Sequence, residues 1–526
     1  MNIEKLAIYY IAFSIACMAA PLSLAQSTLP QLGDGQEMTI AAERKLGQRI
    51  ARDVYREPDY IDDAVLGDYV QRIWQPLMES AKQRGDLTPE LAERFAWQVL
   101  LGRDRSVNAF ALPGGYFGLH LGLIAVVGNR DELASVLAHE MSHVTQRHIA
   151  RITSLQSQQS PWMLGAMILG ALAARKNADA AGALVTGAQA AGIQGQLNFS
   201  RDMEREADRI GYQVMQDAQF NVQGFVGMFD KLALANRIND SGSFPYLRTH
   251  PLTSERIGDM QSRLQLNAPN SIKPEAAVVL EHAIMVVRAR LLADPSVDNL
   301  RAELSRVPGW QRAAADASAA RSTTLPAQLY GGALAALKQR DLPLAERLAQ
   351  TSRRVLTELK LAPTPPAQHT LQAIDILAAE IAMAQGNAAK AREILSVHML
   401  QSPVPRSVLL AWALAVSTPS ASAQELLNAV ELLQLHVAQN VHDAAAWDAL
   451  ASAYSVQKQP LRAIRAQAEA RVAVLDYTAA LDRYKAGQAL ARSGVSSDHI
   501  ESSIIDARAR AVTVLQREFA SDVEPK

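Results

Sequence analysis

The sequence predicts a mainly α protein (α+β), with a small β-sheet in its first half and an array of helical pairs in its second half. Aromatic residues make up only 5% of the 526 residues and alanine is abundant. This composition favours helices packed through small side chains over a β-sandwich. Strand-like alternation is confined to residues 97–121, whereas the pattern beyond residue 274 is almost purely helical. The length is sufficient for two or more domains with sizeable cores.

The N-terminal segment has the pattern of a cleavable export signal. A lysine precedes an apolar, uncharged run from Leu6 to Ala20, and Ser23 and Ala25 place small residues where a signal peptidase reads them. We therefore expect residues 1–25 to be a signal peptide and the mature protein to reside in the periplasm. The single cysteine, Cys17, lies within this segment, so the mature chain is expected to contain no disulfide.

Short helices and strands alternate in the remainder of the first half. The predicted helices cover residues 39–56, 62–77 and 89–95, and the predicted strands cover residues 97–101, 107–112 and 116–121. Pro113, Gly114 and Gly115 are expected to form the turn that joins the last two strands. These strands predict a small sheet that lies just before the motif described next.

Residues 139–143 carry a His-Glu-x-x-His motif within a run that contains no helix breaker. Residues four apart on a helix lie one turn above each other, about 6 Å along the axis. His139 and His143 can therefore direct their imidazoles toward one metal ion. Glu140 is expected beside the open position of that metal, where it can take a proton from a bound water molecule. The motif alone is only moderately specific, because surface helices rich in Glu and His also produce it.

The third ligand is predicted to be the carboxylate of Glu204. Gln146 and Ile149 stand where a metzincin-type zinc protease requires Gly and His, which excludes that class. His148 is expected to be turned away from the ligands, as a surface or capping histidine. Glu204 and Asp208 share one face of a downstream helix, so Glu204 can reach the metal while Asp208 hydrogen-bonds a ligand histidine or a reacting group. The alternative for this helix is a solvated, charged surface.

These segments resemble the HtpX/CAAX-protease-type zinc metallopeptidases, a gluzincin group, over residues 34–265. The motifs that carry the resemblance are the segments 106–124, 136–143 and 204–208. The resemblance implies a zincin-like metalloprotease domain at residues 26–268 that binds one Zn²⁺ ion per chain. The implied roles are zinc binding by His139, His143 and Glu204, base catalysis by Glu140, and hydrogen bonding or proton donation by Asp208.

The resemblance also implies a peptide substrate that is held in an extended form near the zinc, as in strand addition. We expect residues 108–112 to form an exposed sheet edge, on which Asn108, Ala109 and Phe110 bind the substrate. An ordinary hairpin in a small sheet is the compatible alternative.

The Ala- and Gly-rich segment 161–196 is predicted to form a helical hairpin over the active-site helices, where it can serve as a lid. Its first apolar run contains about 13 residues, which is too short for a bilayer that requires about 20. A membrane-surface or partner-facing role of this segment is the alternative.

His250 is a further candidate ligand. The Thr-His-Pro…Arg-Ile pattern of residues 249–257 is also similar to the family, and Pro251 disfavours helix at His250, which predicts a loop. His250 is expected either to bind the zinc as a fourth ligand that holds the enzyme inactive, or to stabilise the oxyanion of the transition state. A loop histidine that only positions the turn is the structural alternative.

Residues 325–526 are predicted to form an α-helical tetratricopeptide-repeat solenoid, joined to the peptidase domain by a helical linker at residues 269–324. The opening of such a repeat is matched by Trp447, Leu450, Ala451 and Tyr454. The small residues expected at equivalent positions of the second helices are Ala345, Ala391 and Ala463. Repeats of this kind must stack to bury their apolar faces, which creates a concave surface for partners.

The order of these segments most resembles the BepA/YfgC-like envelope proteases. That resemblance implies a zinc endopeptidase that degrades misfolded or stalled outer-membrane proteins, aids their assembly, and meets the outer-membrane β-barrel assembly machinery. The alternative is a repeat-based chaperone or scaffold whose zinc site is self-capped. The net charge of −1 gives no support for nucleic-acid binding. No spanning helix is expected in the mature chain, and peripheral membrane contact stays an alternative.

Overall fold

The computed structural model describes residues 38–155, 201–237, 244–266, 274–316, 322–493 and 498–521. Within these ranges the chain is mainly α-helical with one small sheet, as predicted. None of the helices in these ranges is long and apolar enough to cross a bilayer. Several predictions lie outside the described residues, namely the signal peptide 1–25, the lid segment 161–196 and the start of the linker at residues 269–273.

The first half contains the sheet and the helices that pack on it. The strands are β1 (Tyr60–Ile61), β2 (Gln98–Gly102), β3 (Ala109–Leu112) and β4 (Tyr116–His120). The helices are α1 (Ile40–Arg56), α2 (Ala64–Arg84), α3 (Pro89–Arg94), α4 (Leu121–Val126), α5 (Arg130–Thr145), α6 (His148–Leu155), α7 (Arg201–Asp217), α8 (Gln223–Arg237), α9 (Tyr246–Thr249) and α10 (Ser254–Leu266). The helices and strands predicted between residues 39 and 121 are all present.

Helix α2 extends beyond its predicted end at residue 77. It continues past Pro76 and ends at Gly85, whose φ of 80° lies in the left-handed region that glycine adopts without strain. A proline inside a helix removes one backbone hydrogen bond. Leu77, Met78 and Ala81 are buried in the turns that follow, and this packing offsets the loss.

The strand order of the sheet is β1-β2-β4-β3. Strands β2 and β4 run parallel, whereas β3 pairs with β4 in an antiparallel hairpin with Phe110 opposite Gly118. The predicted turn forms one 3-10 turn, in which Gly114 and Gly115 have φ values of 70° and 79°. Because β3 pairs with β4 alone in this sheet, it is an edge strand, as predicted, but Asn108, Ala109 and Leu112 are buried rather than exposed.

The second half consists of successive helices that pack on their neighbours. They are α11 (Ala276–Ala293), α12 (Val297–Leu304), α13 (Val307–Ala315), α14 (Leu325–Lys338), α15 (Leu342–Glu358), α16 (Pro365–Ala384), α17 (Ala388–Ser396), α18 (Arg406–Val416), α19 (Ala423–Gln439), α20 (Ala444–Val456), α21 (Pro460–Ala473), α22 (Tyr477–Arg492) and α23 (His499–Ser521). The alanines expected at helix contacts, Ala345, Ala391 and Ala463, are all buried. The helical-repeat character of this half is therefore confirmed, while its assignment to tetratricopeptide repeats stays a prediction.

Helix α11 connects the two halves. It packs against α4 of the first half and against α14 and α16 of the second half. Its buried Arg288 donates hydrogen bonds to Asp63 at 2.8 and 2.9 Å, to the Tyr330 hydroxyl at 2.7 Å and to Glu380 at 3.2 Å. One guanidinium thus joins α2 of the first half to α14 and α16 of the repeats.

Candidate metal centre

The buried helix α5 and the inner face of helix α7 form the centre of the first half. The side chain of Asn129 caps α5 by accepting from the Glu132 N–H at 2.9 Å, and the residues of α5 from Glu132 onward are buried. Helix α7 approaches α5 at Gly211, where an added Cβ would lie 3.1 Å from the backbone of Ala138. Glycine at this position therefore permits the close contact that brings the side chains of the two helices together.

The three predicted ligands and His250 converge on one point. The Nε2 atoms of His139 and His143 lie 2.9 Å apart, and each lies about 3.5 Å from the Glu204 carboxylate. Each of these four side chains offers one possible ligand atom, and the four atoms all lie within 4.8 Å of one another. The four residues are His139, His143, Glu204 and His250. All four side chains are buried. Converging imidazole nitrogens and a carboxylate form the donor set of a metal site, so the residues present fit a metal ion.

Glu140 lies between this cluster and the edge strand. Its Oε2 accepts a hydrogen bond from the Ala111 N–H of β3 at 2.9 Å, and its Oε1 lies 3.4 Å from Nε2 of His250. Within the described part of the chain, Oε1 is buried and has no hydrogen-bond partner. The carboxylate is thus oriented by the strand and presents one oxygen to the cluster, as a base beside a metal requires.

Asp208 holds His139 and is itself held by an arginine. Its Oδ1 lies 3.0 Å from Nδ1 of His139, as the sequence predicted. Arg256 of α10 donates to both oxygens of Asp208 at 2.6 and 2.7 Å, and its Nη1 lies 2.8 Å from Glu204. Burial acts to raise the pKa of Asp208, but the Arg256 charge holds that pKa below its ordinary value. Burial acts to lower the pKa of His139, but hydrogen bonds to Asp208 and Glu204 raise it to about 9.

The role of Arg256 was not predicted. It belongs to the Arg-Ile end of the family-like pattern at residues 249–257, but its distance of 48 residues from Asp208 conceals the contact. Its place in that pattern was the only indication of a role, and no local period pointed to the contact with Asp208. The guanidinium of Arg256 offsets the negative charges of two neighbouring buried carboxylates, those of Asp208 and Glu204.

The prediction for His148 is wrong, because its side chain is fully buried against a ligand. Its Nδ1 lies 2.8 Å from Nδ1 of His143, and its Nε2 lies 3.1 Å from Glu206, which also accepts from Arg151 at 2.8 Å. The prediction assumed one continuous helix, whereas the chain breaks between α5 and α6 at Arg147, whose φ is 51°. Burial lowers the pKa of His148 to about 4.

His250 reaches the cluster from the end of a single helical turn. Residues 246–249 form α9 where a loop was predicted, and the helix ends at His250, in agreement with the effect of Pro251. The imidazole stacks on the Tyr246 ring with centroids 4.6 Å apart, and its Nδ1 lies 3.0 Å from Glu204. The structure therefore places His250 beside the candidate ligands His139, His143 and Glu204.

The predicted substrate-binding residues lie on the edge strand beside Glu140. Asn108 and Ala109 are buried, and Phe110 packs edge-on against His120. The Ala111 N–H points away from β4, because it donates to Glu140. Backbone groups two residues apart in a strand point to the same side, so the N–H of Ala109 faces outward as well. This outer edge borders the candidate metal site.

The chain resembles known metallopeptidases. Residues 68–264 match peptidase family M48. The chain is 32% identical over 264 residues to the beta-barrel assembly-enhancing protease of Escherichia coli (strain K12), a match that covers 49% of this chain and 51% of that protein. It is 34% identical over 256 residues to the Yersinia pestis protein of the same name, covering 48% and 49%. It is 30% identical over 205 residues to the mitochondrial metalloendopeptidase OMA1 of Saccharomyces cerevisiae, covering 37% and 55%. The chain spans about half the length of these curated relatives.

Proposed function

Because residues 68–264 belong to peptidase family M48, we propose that the chain is a zinc-dependent endopeptidase that acts on outer-membrane proteins in the periplasm. The observation that carries this proposal is the convergence of two histidines and a carboxylate beside the Glu140 carboxylate. A His₂Glu donor set that leaves room for a further group is typical of catalytic zinc.

The proposed roles follow from the contacts of each side chain. His139, His143 and Glu204 would hold the zinc, which when bound would supply a Lewis acid for water and for the scissile carbonyl. Glu140 would accept a proton from the attacking water and return it to the leaving amine. Asp208 fixes the orientation of His139 through their 3.0 Å contact. Because Arg256 binds both of its oxygens and lowers its pKa, Asp208 acts as an ionised acceptor, and the geometry does not support the proton-donor role that the resemblance implied.

The edge strand β3 is the proposed binding site for the substrate. An extended peptide would pair with the outward backbone groups of Ala109, antiparallel or parallel to β3, and would contact the side chains of the flanking Asn108 and Phe110, whose own backbone groups face β4. Ala111 of the same strand contacts Glu140 at 2.9 Å. A peptide paired with this strand would therefore have its backbone delivered next to the catalytic base.

The proposed cellular role rests on the names of the relatives and on the arrangement of the chain. We assign residues 26–268 to the peptidase domain, 269–324 to a helical linker and 325–526 to tetratricopeptide repeats. The repeats would meet the outer-membrane β-barrel assembly machinery and deliver misfolded or stalled outer-membrane proteins to the peptidase. Two relatives are named beta-barrel assembly-enhancing proteases, which supports a role in assembly.

Removal of zinc is expected to abolish proteolysis and re-addition is expected to restore it, because the metal activates the attacking water. The measurement is cleavage of an unfolded outer-membrane β-barrel protein by the full chain after dialysis against a chelator, with metal content determined in parallel. Circular dichroism of the dialysed chain serves as the control for folding. Full cleavage by a chain shown to be metal-free would refute the proposed mechanism.

Replacement of His250 by alanine is expected to raise proteolysis, because the imidazole lies within the cluster and beside Glu140. We expect an increase of about tenfold, which corresponds to removal of about 1.4 kcal/mol of preference for the closed site. Substitution of the exposed His499 by alanine is the matched control. A decrease would instead indicate that His250 stabilises the oxyanion, and an unchanged rate would exclude both roles.

A further inference from the structure

The two ligand histidines of α5 are supported on their outer nitrogens by different groups. His139 meets the carboxylate of Asp208 at 3.0 Å through Nδ1. His143 meets a second imidazole, since its Nδ1 lies 2.8 Å from Nδ1 of His148. Ligand histidines usually donate to a carboxylate, a carbonyl or water, so a histidine in this position requires its own explanation.

His148 is held rigidly in this position. Its Nε2 lies 3.1 Å from the Glu206 carboxylate, and Arg151 donates to the same carboxylate oxygen at 2.8 Å. The rings of His143 and His148 meet at 75° with centroids 4.9 Å apart, and both side chains are fully buried. Glu206 lies two residues after Glu204 on α7, so this helix contacts His143 through Glu204 and its neighbour His148 through Glu206.

These contacts determine where the protons reside. A carboxylate can only accept, so the bond to Glu206 places a proton on Nε2 of His148. With a proton on Nε2, His148 can accept at Nδ1, which lies 2.8 Å from Nδ1 of His143, so this geometry fits a proton on Nδ1 of His143. Nε2 of His143 is consequently left with its lone pair, and it is this atom that lies 2.9 Å from Nε2 of His139 in the cluster.

We propose that His148 is a positioning residue for the metal ligand His143, which it holds in the Nδ1–H tautomer with Nε2 directed at the metal. This inference rests on the proposed function, since it assumes that the cluster binds zinc. Glu206 sets the tautomer of His148, and Arg151 orients Glu206. His148 thus does for His143 what Asp208 does for His139, with an uncharged acceptor in place of a carboxylate.

The proposal is tested by measuring the zinc affinity of the full chain, which competes with a chromophoric chelator for the metal. His148→Leu removes the acceptor at similar volume, and we expect zinc to bind 10- to 100-fold more weakly, the usual effect of losing such a partner. His148→Asn places an amide oxygen near the position of Nδ1, and we expect an affinity within about threefold of the wild type. A His148→Leu variant that binds zinc like the wild type would overturn the proposal.

The matched control is His398→Leu in the repeats. His398 is also buried, and its Nε2 contacts Asp375 at 2.9 Å, so its loss should lower stability without changing zinc affinity. An equal loss of zinc affinity in both variants would mean that general destabilisation is responsible, and it would overturn the positioning role.

A spectroscopic measurement on the unaltered chain keeps the test independent of folding in the variants. The ¹⁵N shifts of the His143 imidazole, assigned by comparison with His143→Asn, should report a protonated Nδ1 and an unprotonated Nε2 in the metal-free protein. The opposite tautomer would overturn the proposal. Failure of the proposed function looks different, because the wild-type chain itself would then bind no zinc.

Discussion

Replacement of Glu140 by glutamine is expected to lower kcat for peptide cleavage by about 10²- to 10⁴-fold, the range for loss of a general base, while zinc stays bound. The amide cannot take a proton from water, but its oxygen can still accept the Ala111 N–H that Glu140 accepts at 2.9 Å. Local structure should therefore be retained. The measurements are steady-state cleavage of an unfolded outer-membrane β-barrel protein and the zinc content of the purified chain.

Glu132→Gln is the matched control for this experiment. Glu132 is a buried glutamate of the same helix, but it accepts from the Gly128 N–H at 2.7 Å and pairs with Lys231 at 3.0 Å. Its substitution should leave kcat within about threefold of the wild type, because it contacts none of the reacting groups. If Glu140→Gln loses zinc together with activity, the site is structural rather than catalytic.

The same variant distinguishes the peptidase from the alternative of a repeat-based chaperone. Cells that produce the Glu140→Gln protein should fail to clear stalled outer-membrane proteins if proteolysis is the essential activity. Full restoration of β-barrel assembly by this variant would instead favour the chaperone. A self-capped zinc site, with His250 in contact with Glu204 at 3.0 Å, is compatible with either outcome.

Replacement of Arg288 by methionine is expected to lower the free energy of unfolding by about 3–5 kcal/mol, the usual effect of removing one partner from a buried ion pair. The substitution leaves the Asp63 carboxylate buried without its guanidinium, and it also removes the bond to the Tyr330 hydroxyl. Burial acts to raise the pKa of Asp63, which Arg288 holds below its ordinary value, and in the variant only the Leu66 N–H and Lys338 remain to lower it. The measurement is urea-induced unfolding at neutral pH.

Two comparisons make this experiment specific. Arg347→Met removes an arginine from the exposed surface of the repeats and should change stability by less than about 0.5 kcal/mol. Combining Arg288→Met with Asp63→Asn should recover part of the loss, because no uncompensated charge is then buried at this point. A loss below 1 kcal/mol in Arg288→Met would show that this network does not stabilise the contact between the two halves in solution.

The sequence predicted the chemistry of the site because that chemistry depends on local periodicity. A helix places residues four apart on one face, so His139 with His143, and Glu204 with Asp208, could be assigned as pairs without knowledge of the fold. The hairpin turn was equally local, since its two glycines permit the positive φ values that the turn requires. Helix α2 extended past its predicted end because burial of later residues outweighed a proline.

The tertiary structure decided which side chains hold the ligands. Arg256 reaches Asp208 across 48 residues, and His148 turns back to His143 only because the helix breaks at Arg147. Neither contact follows a helical or strand period, so sequence patterns contained no signal for it. The contacts that Arg288 makes between the two halves follow no local period either, so the sequence did not predict them.

By itself, the sequence predicted that His139, Glu140, His143, Glu204 and Asp208 lie in one group, because helical spacing and side-chain chemistry are properties of short segments. The tertiary structure alone decided that His250 lies inside this group and that His148 supports it from outside. Positions of that kind depend on how distant segments pack, and packing is settled by burial and charge compensation across the whole chain.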